Sequence, residues 1–312
     1  MPRPDQFALV ETRVNDAADG QVMVRNLYMS VDPVMRSQLN AMTPLNEAMR
    51  GAAIGVVVQS RSPDFSVGDL VSHYLGFREY FLSDGEGLIR VRELPGLPIT
   101  THLHALGMTG FTAYGGMLHI GAVKAGEQVF VSAAAGAVGS VAAQIARLKG
   151  CHVIGSVGSA EKARWLKSVA GLDAVINYRD APIAEALPAA ASKGLDVYFD
   201  NVGGEHLDAA LGCMNTLGRI PVCGMISGYN DPSVAVRRLS TIVYRRVMLR
   251  GFSLMDFIDQ REAFERDMTG WLRDGRVRVE ETVLDGIETA PTALIGLFQG
   301  VNLGKMLVRL GT

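Results

Sequence analysis

The chain has 312 residues, of which 48% are hydrophobic and 20% charged, and its formal net charge at neutral pH is −2. Such a length can bury one large core or two ordinary ones. The near-neutral charge excludes the basic surface that attracts nucleic acid or anionic lipid, and no run approaches the roughly 20 apolar residues of a membrane span. We therefore expect neither nucleic acid nor a membrane as a partner.

Short apolar runs alternate with turn signals over about the first 105 residues, which is typical of an irregular β-rich domain. These runs lie at 21–30, 55–59, 69–74, 80–82 and 88–91. From about 106 to 270, strand and helix patterns alternate in the rhythm of a doubly wound parallel sheet. Its strands are predicted near 129–132, 151–156, 173–177, 195–200, 218–224 and 247–252. After a helix near 258–273, a strand-like run at 276–284 is expected to rejoin the first domain.

Residues 129–150 contain the most informative pattern, a strand, a turn of small residues and a helix. This order brings backbone N–H groups and a positive helix end to one point, which suits a pyrophosphate. In the dinucleotide fingerprint G-x-G-x-x-G, the first position is Ala134, while Gly136 and Gly139 keep the other two. We expect a negative φ at Ala134 and use of the positive φ that glycine allows at Gly136. An ordinary βα turn of another α/β protein would show the same pattern.

The next strand, near 151–156, indicates which dinucleotide would bind. An NAD site places an acidic residue at the end of this strand for the ribose hydroxyl, but residues 156–160 are small and neutral. Lys162 and Arg164 follow in the next helix. A missing carboxylate and a nearby cation both favour a 2′-phosphate, and therefore NADP over NAD. The alternative is that both cations are solvated helix residues.

Cysteine and histidine usage limits the redox and metal chemistry. Cys151, Cys213 and Cys223 lie in apolar patterns, which favours thiols in a reducing compartment over a disulfide framework. Neither a C-x-x-C nor an H-x-x-x-H pair occurs, so the usual zinc spacings are missing. The N-terminal residues contain no apolar signal core. We expect a cytoplasmic protein that holds no metal.

Six motifs run in one order along nearly the whole chain: Met29–Arg36, Gly107–Tyr114, Ala133–Ser140, Tyr198–Gly204, Cys223–Asn230 and Asn302–Lys305. Together they resemble the zinc-free branch of the medium-chain dehydrogenase/reductase superfamily, with its NADP-dependent alkenal, prostaglandin and curcumin reductases. The resemblance implies an α/β protein with an irregular β-rich (GroES-like) catalytic domain at 1–106 and 275–312. It also implies a doubly wound Rossmann domain at 107–274, and a homodimer.

The resemblance further implies where NADP would bind. The turn residues Ala137, Val138, Gly139 and Ser140 would touch the pyrophosphate. Lys162 and Tyr178 would hold the 2′-phosphate, and Asn201 would lie on the adenosine side. The residues expected at the nicotinamide end are Cys223, Gly224, Met225, Ile226, Ser227, Gly228, Tyr229, Phe252, Ser253, Leu254 and Asn302. Tyr229 is the candidate for assisting the chemistry, and its alternative is a tyrosine on the surface of a turn.

These observations lead to the hypothesis of an NADPH-dependent reductase that acts on the carbon–carbon double bond of α,β-unsaturated ketones and aldehydes. Hydride would reach the β-carbon, and the Tyr229 hydroxyl or the cofactor ribose would stabilise charge on the carbonyl oxygen. A tyrosine with a pKa near 10 is a hydrogen-bond donor at neutral pH. Two alternatives stay open: an NADPH quinone reductase, and a non-catalytic NADPH-binding sensor or scaffold.

Overall fold

A computed structural model describes residues 1–231 and 233–311 of the chain. The chain divides into two compact units. The first, called here the β-rich unit, contains residues Met1–Leu103 and the segment that starts at Glu281. The second, called here the parallel-sheet unit, contains residues His104–Glu280. Within the described residues, no helix is long and apolar enough to cross a bilayer.

The strands follow one another in chain order. They are β1 (Val22–Ser30), β2 (Ala53–Ser60), β3 (Leu70–His73), β4 (Tyr80–Ser83), β5 (Ile89–Arg90), β6 (Gln128–Val131), β7 (His152–Val157), β8 (Ala174–Asn177), β9 (Leu195–Phe199), β10 (Met214–Val222), β11 (Met248–Gly251), β12 (Glu281–Asp285) and β13 (Lys305–Arg309).

Nine α-helices are found in the described residues. They are α1 (Met35–Ala41), α2 (Met108–Gly115), α3 (Ala137–Leu148), α4 (Ala160–Ser168), α5 (Ile183–Ala190), α6 (Gly204–Cys213), α7 (Ser240–Tyr244), α8 (Arg261–Arg273) and α9 (Ala290–Gln299). Short 3₁₀ helices occur at Pro4–Gln6, Ile99–Leu103, Ile226–Gly228, Leu254–Gln260 and Ile287–Thr289, and a π-helix at Gly116–Ile120.

The β-rich unit is built on a sheet of seven strands. Its path is β12-β13-β1-β2-β3-β5, and β4 pairs with β1. All of these pairs are antiparallel except β12 with β13. The last two strands along the chain, β12 and β13, therefore belong to the same sheet as the first strand, β1.

The parallel-sheet unit has six strands in the order β11-β10-β9-β6-β7-β8, all parallel. Every residue of β6 is buried, which is why this strand has an unbroken run rather than an alternating pattern. Large side chains such as Phe130, Tyr198 and Ile154 fill the core beside the sheet. The predicted fold class, an α/β protein with a β-rich domain and a doubly wound parallel sheet, is confirmed.

One predicted strand is shorter than expected. The alternating run at 276–284 enters a sheet only at Glu281. The Arg278 backbone N–H instead donates to the side-chain oxygen of Gln144 on α3 at 2.9 Å, and the Gln144 side-chain nitrogen donates to the Arg278 carbonyl at 2.8 Å. Because one side chain satisfies both of its backbone groups, Arg278 needs no neighbouring strand.

Candidate functional site

The parallel sheet reverses its direction of growth between β6 and β9. From β6 the chain adds β7 and β8 on one side, and from β9 it adds β10 and β11 on the other. In open α/β sheets, ligands bind beyond the carboxyl ends of the strands at such a reversal. The loops that follow β6 and β9 are therefore the first place to look for a site.

Ser132 and Asn201 join these two loops. The Ser132 hydroxyl accepts a hydrogen bond from the Asn201 backbone N–H at 3.0 Å. The Asn201 side-chain amide donates to the Ser132 carbonyl at 2.7 Å. Asn201 is thus fixed at the reversal point, half-buried beside the turn that precedes α3.

Asp200 organises the loop after β9 from within the core. Its Oδ1 accepts hydrogen bonds from the Tyr198 hydroxyl at 2.6 Å and from the backbone N–H groups of Val202 and Gly203 at 2.9 and 2.8 Å. Burial raises the pKa of this carboxyl, and the four hydrogen bonds that it accepts from Tyr198, Gly203, Val202 and Ser132 oppose the rise. Asp200 is fully buried, so its role at the strand end is structural.

The turn between β6 and α3 differs from the expected geometry at one residue. Gly136 has φ −84° and ψ 176°, so the expected positive φ at Gly136 is wrong. The left-handed position is Ala133, with φ 47°, whereas Ala134 avoids positive φ as predicted. Gly139 is the sterically demanding position, because a Cβ there would collide with the Ala133 carbonyl. A Cβ on Gly136 would meet only the Ala133 oxygen, at 3.2 Å.

The start of α3 offers donors to an anion. Ala137, Val138 and Gly139 are its first three residues, and the N–H groups of a first helical turn have no acceptor within the helix. Ser140 is different, because its N–H donates to the Gly136 carbonyl at 3.0 Å. Its buried hydroxyl has no hydrogen-bond partner among the described residues. Three amides, a hydroxyl and the open space at Gly136 fit a pyrophosphate.

Lys162 lies at the next strand end, one turn into α4. Ser159 caps this helix, and its hydroxyl accepts a hydrogen bond from the Lys162 backbone N–H at 3.3 Å. Burial lowers the pKa of the Lys162 ammonium, and the positive charge of Arg179 lowers it further. Arg164, the other cation noted in the sequence, is exposed on the same helix.

Tyr178 and Arg179 approach the same strand end from β8. The Tyr178 backbone N–H donates to the Val157 carbonyl at 3.0 Å. A Cβ placed on Gly158 would lie 2.5 Å from the Tyr178 hydroxyl and 3.5 Å from Arg179 Nε. A phenol and a guanidinium therefore approach Gly158, and the Arg179 charge acts on the Lys162 ammonium. Two cations and a phenol of this kind suit a 2′-phosphate. Sequence analysis missed Arg179, although its position directly after Tyr178 was the available signal.

The loop that contains Tyr229 is hydrogen-bonded to the backbone of the loop that follows β9. Cys223 and Gly224 donate their N–H groups to the Asp200 carbonyl at 2.8 and 3.1 Å. The N–H groups of Ile226 and Ser227 donate to the carbonyls of Asn201 and Val202 at 3.3 and 3.1 Å. Residues 223–229 are therefore held at the carboxyl edge of the sheet, and the short helix Ile226–Gly228 directly precedes Tyr229.

The Tyr229 hydroxyl turns back over this loop. A Cβ on Gly224 would lie 3.3 Å from it. Burial raises the pKa of Tyr229, and a hydrogen bond from the Met225 backbone partly opposes the rise. Burial, with the Asp200 carboxylate, raises the pKa of the neighbouring Cys223 thiol to about 12. At neutral pH this loop thus offers a neutral phenol that can donate a hydrogen bond, and a neutral thiol that is no nucleophile.

Phe252, Ser253 and Leu254, which were also expected at the nicotinamide end, directly follow β11. The Phe252 ring lies 6.1 Å from Phe199 and 5.9 Å from Phe257, which makes an apolar wall. Ser253 caps the 3₁₀ helix that begins at Leu254, accepting a hydrogen bond from the Met255 N–H at 3.4 Å.

Asn302 belongs to the β-rich unit. It is buried there, and its side-chain amide donates to the Gly304 carbonyl at 2.7 Å. Next to it, the buried Lys305 ammonium donates to the carboxylate of Asp32 at 3.0 Å and to the carbonyl of Val31 at 2.9 Å. The Asn302–Lys305 motif is therefore tied to the residues that follow β1.

Histidines, cysteines and carboxylates do not cluster into a metal site in the residues that the structure describes. His102 and His104, which alternate in a short stretch at 100–104, contact backbone carbonyls instead. His102 Nε2 lies 3.0 Å from the Arg92 carbonyl, and His104 Nε2 lies 3.1 Å from the carbonyl of Ala137.

Known proteins resemble both units of the chain. Residues 1–91 match the family described as the N-terminal domain of oxidoreductase, and residues 137–272 match the zinc-binding dehydrogenase family. The NADPH-dependent curcumin reductase of Escherichia coli is 39% identical over 99% of this chain and 93% of its own. The NADP(+)-dependent 2-alkenal reductase of Nicotiana tabacum is 39% identical over 92% of this chain and 86% of its own.

A solved structure agrees with these relatives. CurA from Vibrio vulnificus, crystallised in complex with NADPH, superposes with a TM-score of 0.93 at 39% identity, covering 100% of this chain and 96% of that one. The identity exceeds 30% over nearly all of the chain in each case, and the resemblance inferred from the motifs is confirmed. The chain belongs to the medium-chain dehydrogenase/reductase family, in the branch that contains the NADP-dependent curcumin and alkenal reductases.

Proposed function

We propose that this protein is an NADPH-dependent reductase of the carbon–carbon double bond in α,β-unsaturated ketones and aldehydes. The observation that carries the proposal is the half-buried Tyr229 phenol, which stays neutral at the carboxyl edge of the parallel sheet. At the same edge, the first turn of α3 suits a pyrophosphate, and Lys162 and Arg179 suit the 2′-phosphate of NADP. The relatives named for curcumin and 2-alkenal reduction support the same substrate class.

Different residues would bind different parts of NADPH. The first amides of α3, at Ala137 to Gly139, would bind the pyrophosphate through charge-assisted hydrogen bonds. Lys162, Tyr178 and Arg179 would hold the 2′-phosphate. When bound, the cofactor supplies the hydride that reduces the β-carbon of the substrate. Cys223 to Gly228, with Phe252 to Leu254, would form the wall that keeps water from this end of the site.

Tyr229 would act on the carbonyl end of the substrate. As hydride reaches the β-carbon, negative charge develops on the carbonyl oxygen, and a hydrogen bond aimed at that oxygen is stronger in the transition state than in the ground state. The raised pKa of Tyr229 keeps its proton on the phenol at neutral pH. Tyr229 is therefore suited to donate that hydrogen bond and not to act as a base.

Turnover of an enone should exceed turnover of a small quinone if this proposal is correct. Reduction of a quinone depends less on a hydrogen-bond donor positioned at the carbonyl oxygen. A quinone reductase would therefore not need this donor, and it would turn over the quinone faster than the enone. NADPH oxidation is measured at 340 nm with matched concentrations of an alkenal, an enone and a benzoquinone. Turnover of the quinone alone would establish the alternative. Binding of NADPH with no oxidation by any electrophile would contradict both.

Tyr229→Phe should lower kcat for an enone roughly tenfold and leave NADPH affinity nearly unchanged. A single well-placed oxyanion donor contributes about a hundredfold or more, and we expect less here because the cofactor ribose can share the role. Single-turnover rates with an enone and a quinone measure the effect, which should be smaller for the quinone. Tyr80→Phe, an exposed tyrosine of β4, is the matched control. If Tyr229→Phe reduces an enone at the wild-type rate, the Tyr229 hydroxyl takes no part in the chemistry and the residue only lines the site.

The enzyme is further proposed to be a cytoplasmic homodimer. All three cysteines are thiols, which suits a reducing compartment. β11 is an edge strand with every residue exposed, and exposed Met248 and Leu249 lie on it. Exposed apolar edge strands are commonly covered by another chain.

Leu249→Lys should convert the dimer to a monomer, because it buries a charge in the joined edge. Light scattering after gel filtration measures the mass, with Val67→Lys, an exposed site in the β-rich unit, as control. A wild-type protein that elutes as a monomer at all concentrations would contradict the dimer.

A further inference from the structure

His206 is a buried polar residue that the proposed reaction does not use. It lies in the first turn of α6 and is 8% exposed. Its Nε2 has no hydrogen-bond partner among the described residues. Because an unpaired buried nitrogen lowers stability, an apolar side chain would suit this position better if packing were its only role. A histidine here therefore needs a reason beyond packing.

Aromatic rings flank the His206 ring. The ring of Phe130 on β6 is parallel to it within 3°, with centroids 6.5 Å apart. The ring of Tyr178 meets it edge-to-face, with centroids 5.2 Å apart and 87° between the ring planes. Edge-to-face contact at this separation is a preferred geometry of aromatic pairs. His206 therefore lies between the core of the parallel-sheet unit and Tyr178.

His206 is not suited to bind a phosphate itself. Burial lowers the pKa of its imidazole to about 4, so the ring carries no positive charge at neutral pH. Its Nε2 is closed to solvent, and a ligand cannot reach that atom. Any effect of His206 on the cofactor must therefore pass through the ring of Tyr178.

Gly158 restricts the Tyr178 phenol from another direction. A Cβ on Gly158 would lie 2.5 Å from the phenol oxygen and 2.9 Å from Cζ, so the phenol occupies the space that a side chain would fill. The Tyr178 backbone is fixed by its hydrogen bond to the Val157 carbonyl at 3.0 Å. Tyr178 nevertheless stays 40% exposed. A ligand can therefore reach a phenol whose position is restricted by Gly158 and His206.

We propose that His206 is a positioning residue for the 2′-phosphate of NADP, because its ring holds the Tyr178 phenol at the angle from which the hydroxyl donates to the phosphate. The inference rests on the proposed role of Tyr178 in the cofactor site. A hydrogen bond weakens steeply when its donor is misaligned, and a donor fixed in advance loses little freedom on binding. NADH has no 2′-phosphate. His206 should therefore favour NADPH over NADH without touching either cofactor.

His206→Leu should weaken NADPH binding by about threefold to fivefold and leave NADH binding unchanged. Fluorescence titration of the full-length protein with each cofactor measures the two affinities. The variant should unfold at the same or a higher temperature, because it removes the unpaired nitrogen. Loss of packing alone would lower the unfolding temperature and would not separate NADPH from NADH. His206→Phe keeps a flat ring beside Tyr178 and should restore most of the NADPH affinity.

Tyr178→Phe tests whether His206 acts through the phenol. It keeps the ring, removes the hydroxyl and should weaken NADPH binding by about fivefold to tenfold. In this background His206→Leu should have no further effect, since no hydroxyl remains to be positioned. His152→Leu makes the same substitution at an exposed histidine that starts β7, and it should bind both cofactors as the wild type does. If His206→Leu fails to fold, His206→Met replaces it in every comparison.

The proposal is overturned if the folded His206→Leu or His206→Met binds NADPH as the wild type does, or weakens NADPH and NADH equally. It is also overturned if His206→Leu weakens NADPH by the same factor with and without the Tyr178 hydroxyl, or if His206→Phe binds NADPH no better than His206→Leu. An unchanged ratio of the two affinities in Tyr178→Phe would contradict the 2′-phosphate site and this inference with it. Enone turnover by the wild-type protein tests the proposed reduction separately.

Discussion

Gly136→Val is expected to lower NADPH affinity by about a hundredfold or more while the protein stays folded. Valine tolerates the extended backbone of Gly136, and its Cβ would meet only one carbonyl oxygen, at 3.2 Å. Its methyl groups, however, would fill the space before the first amides of α3. Loss of two charge-assisted hydrogen bonds, at about 1.5–3 kcal/mol each, accounts for the expected decrease. Fluorescence titration with NADPH gives the affinity, and thermal unfolding gives the stability.

Gly139→Ala is the matched comparison, because it adds less volume at a position with no room. Its Cβ would collide with the Ala133 carbonyl, so the turn itself must shift. We expect a loss of about 1–3 kcal/mol in the free energy of unfolding. If Gly136→Val binds NADPH as tightly as the wild type, the turn has a structural role only.

Lys162→Ala should weaken NADPH binding by about tenfold to a hundredfold and change NADH binding little. Only NADPH carries the 2′-phosphate, and a charge-assisted contact to it contributes about 1.5–3 kcal/mol. Alanine is compatible with the helix at this position, so the fold should be retained. Titration of both cofactors against the same variant measures the difference.

Lys167→Ala, an exposed lysine in the last turn of the same helix, should leave both affinities unchanged. Arg179→Ala should weaken NADPH in the same direction as Lys162→Ala if the guanidinium that converges on Gly158 contacts the phosphate. Equal weakening of NADPH and NADH in Lys162→Ala would refute the assignment of a 2′-phosphate site.

The architecture was largely predictable because the core imposes periodic patterns. The central strands β6, β7 and β9 are almost wholly buried, so they appear as short apolar runs between helices. All six strands of the sheet were located within a few residues. The segment before β12 was the exception. Its alternating valines imitate a strand, and the sequence does not reveal that Gln144 on a distant helix supplies both backbone partners of Arg278.

The candidate site was predictable in its position and less so in its details. Five small residues follow one another in the turn after β6, and their pattern does not specify that the left-handed conformation falls on Ala133. Arg179 was missed for a similar reason. Its approach to Gly158 depends on the register of β8 against β7, which pairs Val157 with Asn177. Contacts that depend on register between strands are not encoded in local sequence patterns.

The loop from Cys223 to Tyr229 has a consequence for how this enzyme could diversify. Most of its attachment consists of main-chain N–H groups that donate to three successive carbonyls, those of Asp200, Asn201 and Val202. The Ser227 hydroxyl adds one side-chain hydrogen bond, to the Val202 carbonyl at 2.6 Å. Main-chain bonds survive most side-chain replacements, so the position of the loop is inherited almost independently of its sequence. Natural selection could therefore exchange the side chains that face a substrate, one at a time, without passing through a misfolded intermediate. Substrate preference in this lineage should drift faster than the shape of the crevice that holds the cofactor.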